Sequence, residues 1–188
     1  MTDEQTILVV DDERDIADLY TTWLEVDHEV RTAYGGGEAL DKVDAEVDIV
    51  FLDRQMPDYS GDEVLEHIRE RGLDCRVVMV TAVDPDFDIV DMGFDDYLTK
   101  PVMREDLNDA VETMHERDGY DETVQEYFAL TSKKATLEAE KTPSELQENE
   151  EYQQMVKRVE KLKTEADTAV SSFDDDFDSL FQEFPGGE

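Results

Sequence analysis

Cysteine, basic residues and long apolar runs are all scarce in this chain, and each shortage excludes something. Cys75 is the one cysteine, so no disulfide framework can staple the fold and a reducing interior is its natural setting. No stretch approaches the roughly 18 apolar residues of a membrane span. The amino terminus, MTDEQT, is acidic and leads straight into a strand pattern, unlike a targeting segment. The expectation is a soluble, cytoplasmic protein without a membrane partner. Lys and Arg number 17 against 52 Asp and Glu, a formal charge of −35, and a field of that sign repels nucleic acid and anionic membrane. His28, His67 and His115 show no metal-ligand spacing and read as solvated side chains.

The acid excess runs through the whole chain: residues 1–118 hold 34 acidic and 10 basic side chains, and residues 119–188 hold 18 and 7. At low ionic strength such a chain repels itself. At molar salt the screening length falls to roughly 3 Å and most of that penalty disappears. We read the composition as an adaptation to a high-salt cytoplasm, the plain alternative being an acidic mesophilic protein. A single core usually takes on the order of 100 to 150 residues, so 188 residues hold one ordinary domain, 1–118, and a smaller one, 119–188.

What is present is a set of apolar runs that end on polar groups. Ile49 to Leu52 ends on Asp53 and continues as RQMPDYSG; Ile7 to Val10 leads into Asp11-Asp12; Val77 to Val80 leads into Thr81; Tyr97-Leu98 leads through Thr99 to Lys100-Pro101. Helical spacing fills the gaps. Ile16, Leu19, Tyr20, Trp23 and Leu24 mark a helix over Glu13 to Glu25, and Val30 to Ala33 a second strand. Gly35-Gly36-Gly37 reads as a turn, and no GxxxxGK[ST] pattern makes it a phosphate-binding loop. Ala39, Leu40 and Val43 mark the next helix, and Val64, Leu65 and Ile68 one that ends near Gly72. Phe87, Ile89, Val90 and Met92 give a short helical segment, and Leu107, Val111 and Met114 the last helix of this part. Strands alternating with helices five times predict an α/β, (βα)5 doubly wound parallel sheet with helices on both faces. In such a sheet the carboxyl ends of the strands carry the chemistry.

Three carboxylates gathered at one edge repel one another unless a cation neutralises them. A hard, oxygen-preferring ion, Mg²⁺, fits that need. Beside it an Asp oxygen can attack a phosphoryl group and form an acyl phosphate, with an ammonium and a hydroxyl at hand to meet the phosphoryl oxygens. Lys100 and Thr81 supply those groups.

Over residues 6–117 the chain resembles the receiver domain of two-component response regulators, which has a flavodoxin-like fold. The motifs that carry the resemblance are Asp11-Asp12, Asp53 with Met56-Pro57 and Gly61, Thr81-Ala82, and Asp96-Tyr97 with Lys100-Pro101. It implies that Asp53 accepts a phosphoryl group from a histidine kinase or phosphotransfer protein. Asp12 and Asp53 would bind Mg²⁺ directly with the Gln55 backbone carbonyl, and Asp11 through water. Lys100 would contact the phosphoryl group, Thr81 would move toward it, Tyr97 would turn its ring inward, and the Lys100–Pro101 bond would be cis. Between Thr81 and Gly93 the chain is about one helical turn shorter than most receivers, which puts the family's usual dimerisation mode in question.

Beyond Gly119 strand signals stop. A helix begins near Asp121, and Thr142-Pro143-Ser144-Glu145 reads as a capping box with proline at the first helical position. From there Tyr152, Val159, Ala166 and Phe173 recur every seven residues, with Met155, Leu162 and Ala169 between them. This is either a coiled coil or a two-helix hairpin that folds its stripe on itself or on the first domain. Phe173, Phe177, Leu180, Phe181 and Phe184 form an aromatic stripe suited to docking. Position, acidity and helical pattern make this all-α region similar to the HalX domain of halophilic archaea. Lys157, Arg158, Lys161 and Lys163 are interleaved with Glu160 and Glu165, which suits a solvated face better than a DNA-binding one.

The expected function is therefore a phosphorylation-switched signalling protein, with at most its own dephosphorylation as catalysis. It would act through 121–184 on a partner protein or a second copy. A DNA-binding transcriptional regulator is the alternative. An aspartate-nucleophile phosphatase fits less well, because Gln55 stands where the second acid of haloacid-dehalogenase-type enzymes belongs.

Overall fold

A computed structural model describes residues 3–170. The chain divides into two compact units, Met1–Asp84 with Asp91–Gly119, and Pro85–Val90 with Tyr120–Glu188.

In the sheet-bearing unit the order is β1 (Thr6–Val10), α1 (Arg14–Leu24), β2 (Glu29–Ala33), α2 (Gly36–Lys42), β3 (Ile49–Leu52), α3 (Gly61–Glu70), β4 (Arg76–Thr81), β5 (Asp96–Thr99) and α4 (Arg104–Arg117). All neighbouring strands are parallel, in the order β2-β1-β3-β4-β5. Every residue of β3 is buried, and every residue of β4 after Arg76, as continuous apolar runs require when helices cover both faces. The chain leaves β1 toward β2 and returns on the other side as β3. That reversal opens a crevice at the carboxyl ends of β1 and β3, where Asp11, Asp12 and Asp53 follow.

Ile7, Val9, Phe51, Val78 and Val80 from the sheet meet Ala17, Tyr20 and Leu24 of α1 and Leu107, Val111 and Met114 of α4 in one core cluster. Trp23 packs half-buried at its edge. Leu19, expected on the buried face of α1, is 45% exposed. The inward stripe runs through Ala17, Tyr20 and Leu24, and Leu19 lies about 100° around the helix from Tyr20. The glycine turn is also different. Gly36 and Gly37 open α2, because Asp58 from the loop after β3 accepts their N–H groups at 3.1 and 2.9 Å. A carboxylate distant in sequence thus satisfies two donors that a helix start leaves free.

The second unit contains α5 (Glu122–Glu140), α6 (Pro143–Glu148) and α7 (Glu150–Val170). Asp121 starts α5 by accepting the Val124 N–H at 3.0 Å, and Thr142 and Glu145 form the expected capping box of α6. That helix stops after six residues. Asn149 breaks it and its side chain accepts the Tyr152 N–H at 2.8 Å, starting α7. Tyr152 donates to Glu138 at 2.9 Å, and Arg158 bonds Glu126 at 2.9 and 2.8 Å, so α5 and α7 run antiparallel. Tyr152, Met155, Val159, Leu162 and Ala166 are all buried. Val159, Leu162 and Ala166 pack with Val124, Tyr127 and Phe128 of α5. From Tyr152 to Ala166 the stripe is buried within one chain, as a hairpin would bury it. The Ala169 side chain, Phe173 and the stripe of Phe177, Leu180, Phe181 and Phe184 lie outside the described residues. Among those residues no helix is long and apolar enough to cross a membrane.

Candidate functional site

Each strand that borders the crevice delivers one part of the site. β1 ends at Val10, so Asp11 and Asp12 follow at its tip; Asp53 follows β3, Thr81 is the last residue of β4, and Lys100 follows β5. Asp11 and Asp53 are 1% and 6% exposed while Asp12 faces solvent. One oxygen from each of the three carboxylates can be chosen so that all lie within 4.8 Å of one another. Lys100 Nζ stands between two of them, 2.7 Å from Asp11 and 3.5 Å from Asp53.

The electrostatics follow from this crowding. Burial pushes the Asp53 carboxyl above its ordinary value; Lys100 pulls the other way, Asp11 adds to the rise, and hydrogen bonds from the Thr81 side chain and Gln55 backbone favour the charged form. Burial opposes the Lys100 ammonium, but Asp11 and Asp53 outweigh it and its value is raised. One ammonium among three acids leaves the cluster short of positive charge. All the donors are hard oxygens, two buried and one open to water, and such a set suits a small divalent cation of the Mg²⁺ kind.

The surrounding loop is held in place. Arg54 forks onto Asp62 at 2.9 and 3.1 Å. Gly61 lies so close to the Asp53 carbonyl oxygen that any side chain would overlap it. The Gly61 N–H donates to Arg54 O at 2.8 Å. Ser60 and Glu63 form a capping box that starts α3 immediately afterwards. On the other side, the Val83 N–H donates to Thr81 Oγ1 at 3.2 Å and Val83 O accepts from the Tyr97 hydroxyl at 2.6 Å. The Tyr97 ring is buried, against Phe94. The Lys100–Pro101 bond is cis.

Asp11, Asp12, Asp53, Thr81 and Lys100 thus meet at one edge, the Gln55 backbone N–H donates to Asp53, and Tyr97 reaches the adjoining loop. Four further residues escaped the sequence. Arg54 and Asp62 carry opposite charges eight residues apart, a pairing that becomes meaningful only once the loop folds back. Asp58 acts on a helix distant in sequence. Val83 contributes a carbonyl, which no side chain could announce.

Residues 7–112 match the response regulator receiver domain, and residues 116–181 match the HalX domain. A Haloferax volcanii protein named as a candidate transcriptional regulator is 48% identical over 178 residues, 94% of this chain and 30% of its own length. The alkaline phosphatase synthesis transcriptional regulatory protein PhoP of Bacillus subtilis is 40% identical over 116 residues, covering 59% of this chain and 48% of its own. The chain therefore spans less than half the length of these curated relatives. Among solved structures, the response regulator TrrA of Thermotoga maritima in complex with Mg²⁺ and BeF superposes with a TM-score of 0.51 at 34% identity, covering 58% of this chain and 98% of that one. The chain belongs to the response regulator receiver family, its receiver domain followed by a HalX domain.

Proposed function

We propose that Asp53 accepts a phosphoryl group from a phosphohistidine, on a histidine kinase or a phosphotransfer protein, and that the change is passed to the HalX helices. The observation that carries this reading is the meeting of Asp11, Asp12 and Asp53 within 4.8 Å, with Lys100 between Asp11 and Asp53. A carboxylate oxygen of Asp53 forms the new bond to phosphorus as the phosphorus–nitrogen bond breaks, and that electron pair leaves on the imidazole nitrogen. Lys100 favours the charged form of Asp53 against the cost of burial and is placed to meet a phosphoryl oxygen; the Thr81 hydroxyl would donate to another. Asp12, Asp53 and the Gln55 carbonyl would hold Mg²⁺ directly, and Asp11 through water. Bound there, the ion supplies charge that draws phosphoryl oxygens into line with the attacking carboxylate. Tyr97 and Thr81, linked through Val83, report the change.

The setting is the cytoplasm, and the output is a partner protein or a second copy engaged through 121–184. The test is labelling by a small phosphodonor with Mg²⁺. The wild-type chain labels and Asp53→Asn does not, because an amide cannot form the acyl phosphate. Undiminished labelling of the variant would overturn the assignment.

The names of the Haloferax and Bacillus relatives favour a second reading, transcriptional control through DNA. Arg158 and Lys161, however, pair with Glu126 and Glu165, which commits half of the basic cluster to acids. Sequence-specific binding to promoter DNA at molar salt would decide for the second reading, since molar salt suppresses nonspecific phosphate contacts.

A further inference from the structure

Residues Pro85–Val90 lie between β4 and β5 in sequence yet belong to the second compact unit. They form most of a 3₁₀ turn, Phe87–Asp91. The grip on them is made by side chains. Lys141 Nζ pairs with Asp86 at 2.9 Å and lies 5.3 Å from the centre of the Phe87 ring. That ring meets Tyr152 edge-on at 6.4 Å. The Val90 carbonyl accepts from Lys133 Nζ at 3.3 Å, and Lys133 is only 4% exposed. Lysine is seldom buried this deeply without a partner, and the Val90 carbonyl is one that Lys133 has here. Ile89 is fully buried.

The residues just before the segment are held differently. Thr81 Oγ1 binds the Val83 N–H, and Val83 O binds the Tyr97 hydroxyl. Only Asp84 and Pro85 separate Val83, bonded to Thr81 and Tyr97, from Asp86, the first residue held by the helical unit. A turn this short has no slack in which to lose a displacement.

We propose that Pro85–Val90 is a strap that carries the state of Asp53 to the α5–α7 hairpin, through the grip of Lys133, Lys141 and Tyr152. The proposal rests on the reading of Asp53 as phosphoryl acceptor. When the Thr81 hydroxyl turns to the phosphoryl group it loosens its bond to the Val83 N–H. Val83 then shifts with Tyr97, and the movement reaches Phe87 and Val90 along the backbone. The hairpin responds because its own side chains hold those two residues.

Amide hydrogen exchange on the 188-residue chain at molar salt, with Mg²⁺, before and after beryllofluoride, tests this. Three segments are followed: 53–61, 86–90 and 133–152. The expected result is slower exchange at 53–61 together with a change of about fivefold or more at both other segments, the lower end of usual coupling between sites. In Phe87→Ala/Lys141→Met the response at 53–61 persists and that at 133–152 is lost. Lys141→Met alone serves as a milder variant, because an ion pair to an exposed acid contributes little to stability, and it should weaken the distal response. A response at 53–61 with none at 133–152 in the wild type would overturn the strap and leave the phosphoacceptor reading intact. Persistence of the distal response in the double variant would overturn it equally. No response at 53–61 would overturn the phosphoacceptor reading and the strap with it.

Discussion

The sheet-bearing unit and the helical unit both bury a continuous apolar surface, but they use polar side chains in opposite ways. At the strand ends of the first, Asp11, Asp53 and Thr81 are buried at 1%, 6% and 1% exposure, and Lys100 is held between two of the acids. In the second, most polar groups start helices, as Asp121, Thr142 and Asn149 do, or pair on the surface, as Arg158 does with Glu126; Lys133 is buried there, donating to the Val90 carbonyl. Buried, crowded charges raise the energy of a folded protein and persist where they perform chemistry. Caps and surface pairs shape a fold without naming a reaction. The first unit therefore announces its function, and the second announces mainly its architecture.

Salt should erase the contrast. At −35 both units repel themselves, so transfer from molar to low salt is expected to lower the melting temperature of the chain by the largest margin of any change considered. Calorimetry across a salt series measures it, and an unchanged melting temperature would refute the high-salt reading. A core cut should restore the contrast. Leu162 is 1% exposed in the cluster of α5 and α7, and Leu162→Ala should destabilise the helical unit by about 2–5 kcal/mol. Phosphodonor labelling of Asp53 should survive at temperatures where the hairpin still folds, as paired denaturation and labelling curves would show.

A subtler change should separate the units by pH. An acid whose folded value is raised holds its proton more tightly folded than unfolded, so it favours folding at low pH and costs stability as pH rises through the folded value. Asp53 is such an acid, chiefly through burial. Without metal, Asp53→Asn should melt higher than the parent at neutral pH, and the advantage should fade as pH falls through the raised Asp53 value. A melting difference independent of pH would contradict this. The smallest effect belongs to the surface. Arg158→Ala should change stability by only about 0–1 kcal/mol and leave labelling unaltered, measurable by urea denaturation.

The same contrast governed what could be read beforehand. The apolar runs ending on Asp11-Asp12, Asp53, Thr81 and Lys100 showed both the sheet and its acidic edge, because strand period and strand termination are local properties of sequence. Position 149 was opaque. The capping box at Thr142 correctly started a helix, but the break at Asn149 depended on a side chain able to serve as the next cap. The register of Leu19 and the start of α2 failed for a related reason: the first is decided by which face meets the sheet, the second by Asp58 arriving from a distant loop. The hold on Pro85–Val90 comes from Lys133, Lys141 and Tyr152, more than forty residues onward, and no local pattern records it.

The most direct measurement of the central claim is peptide mapping by mass spectrometry of the chain after exposure to a small phosphodonor at molar salt, with Mg²⁺ and with a chelator. The account predicts a single acid-labile phosphoryl group on the peptide that carries Asp53, formed with the ion and lost with the chelator. A label on another residue, or one at Asp53 that ignores the chelator, would contradict it.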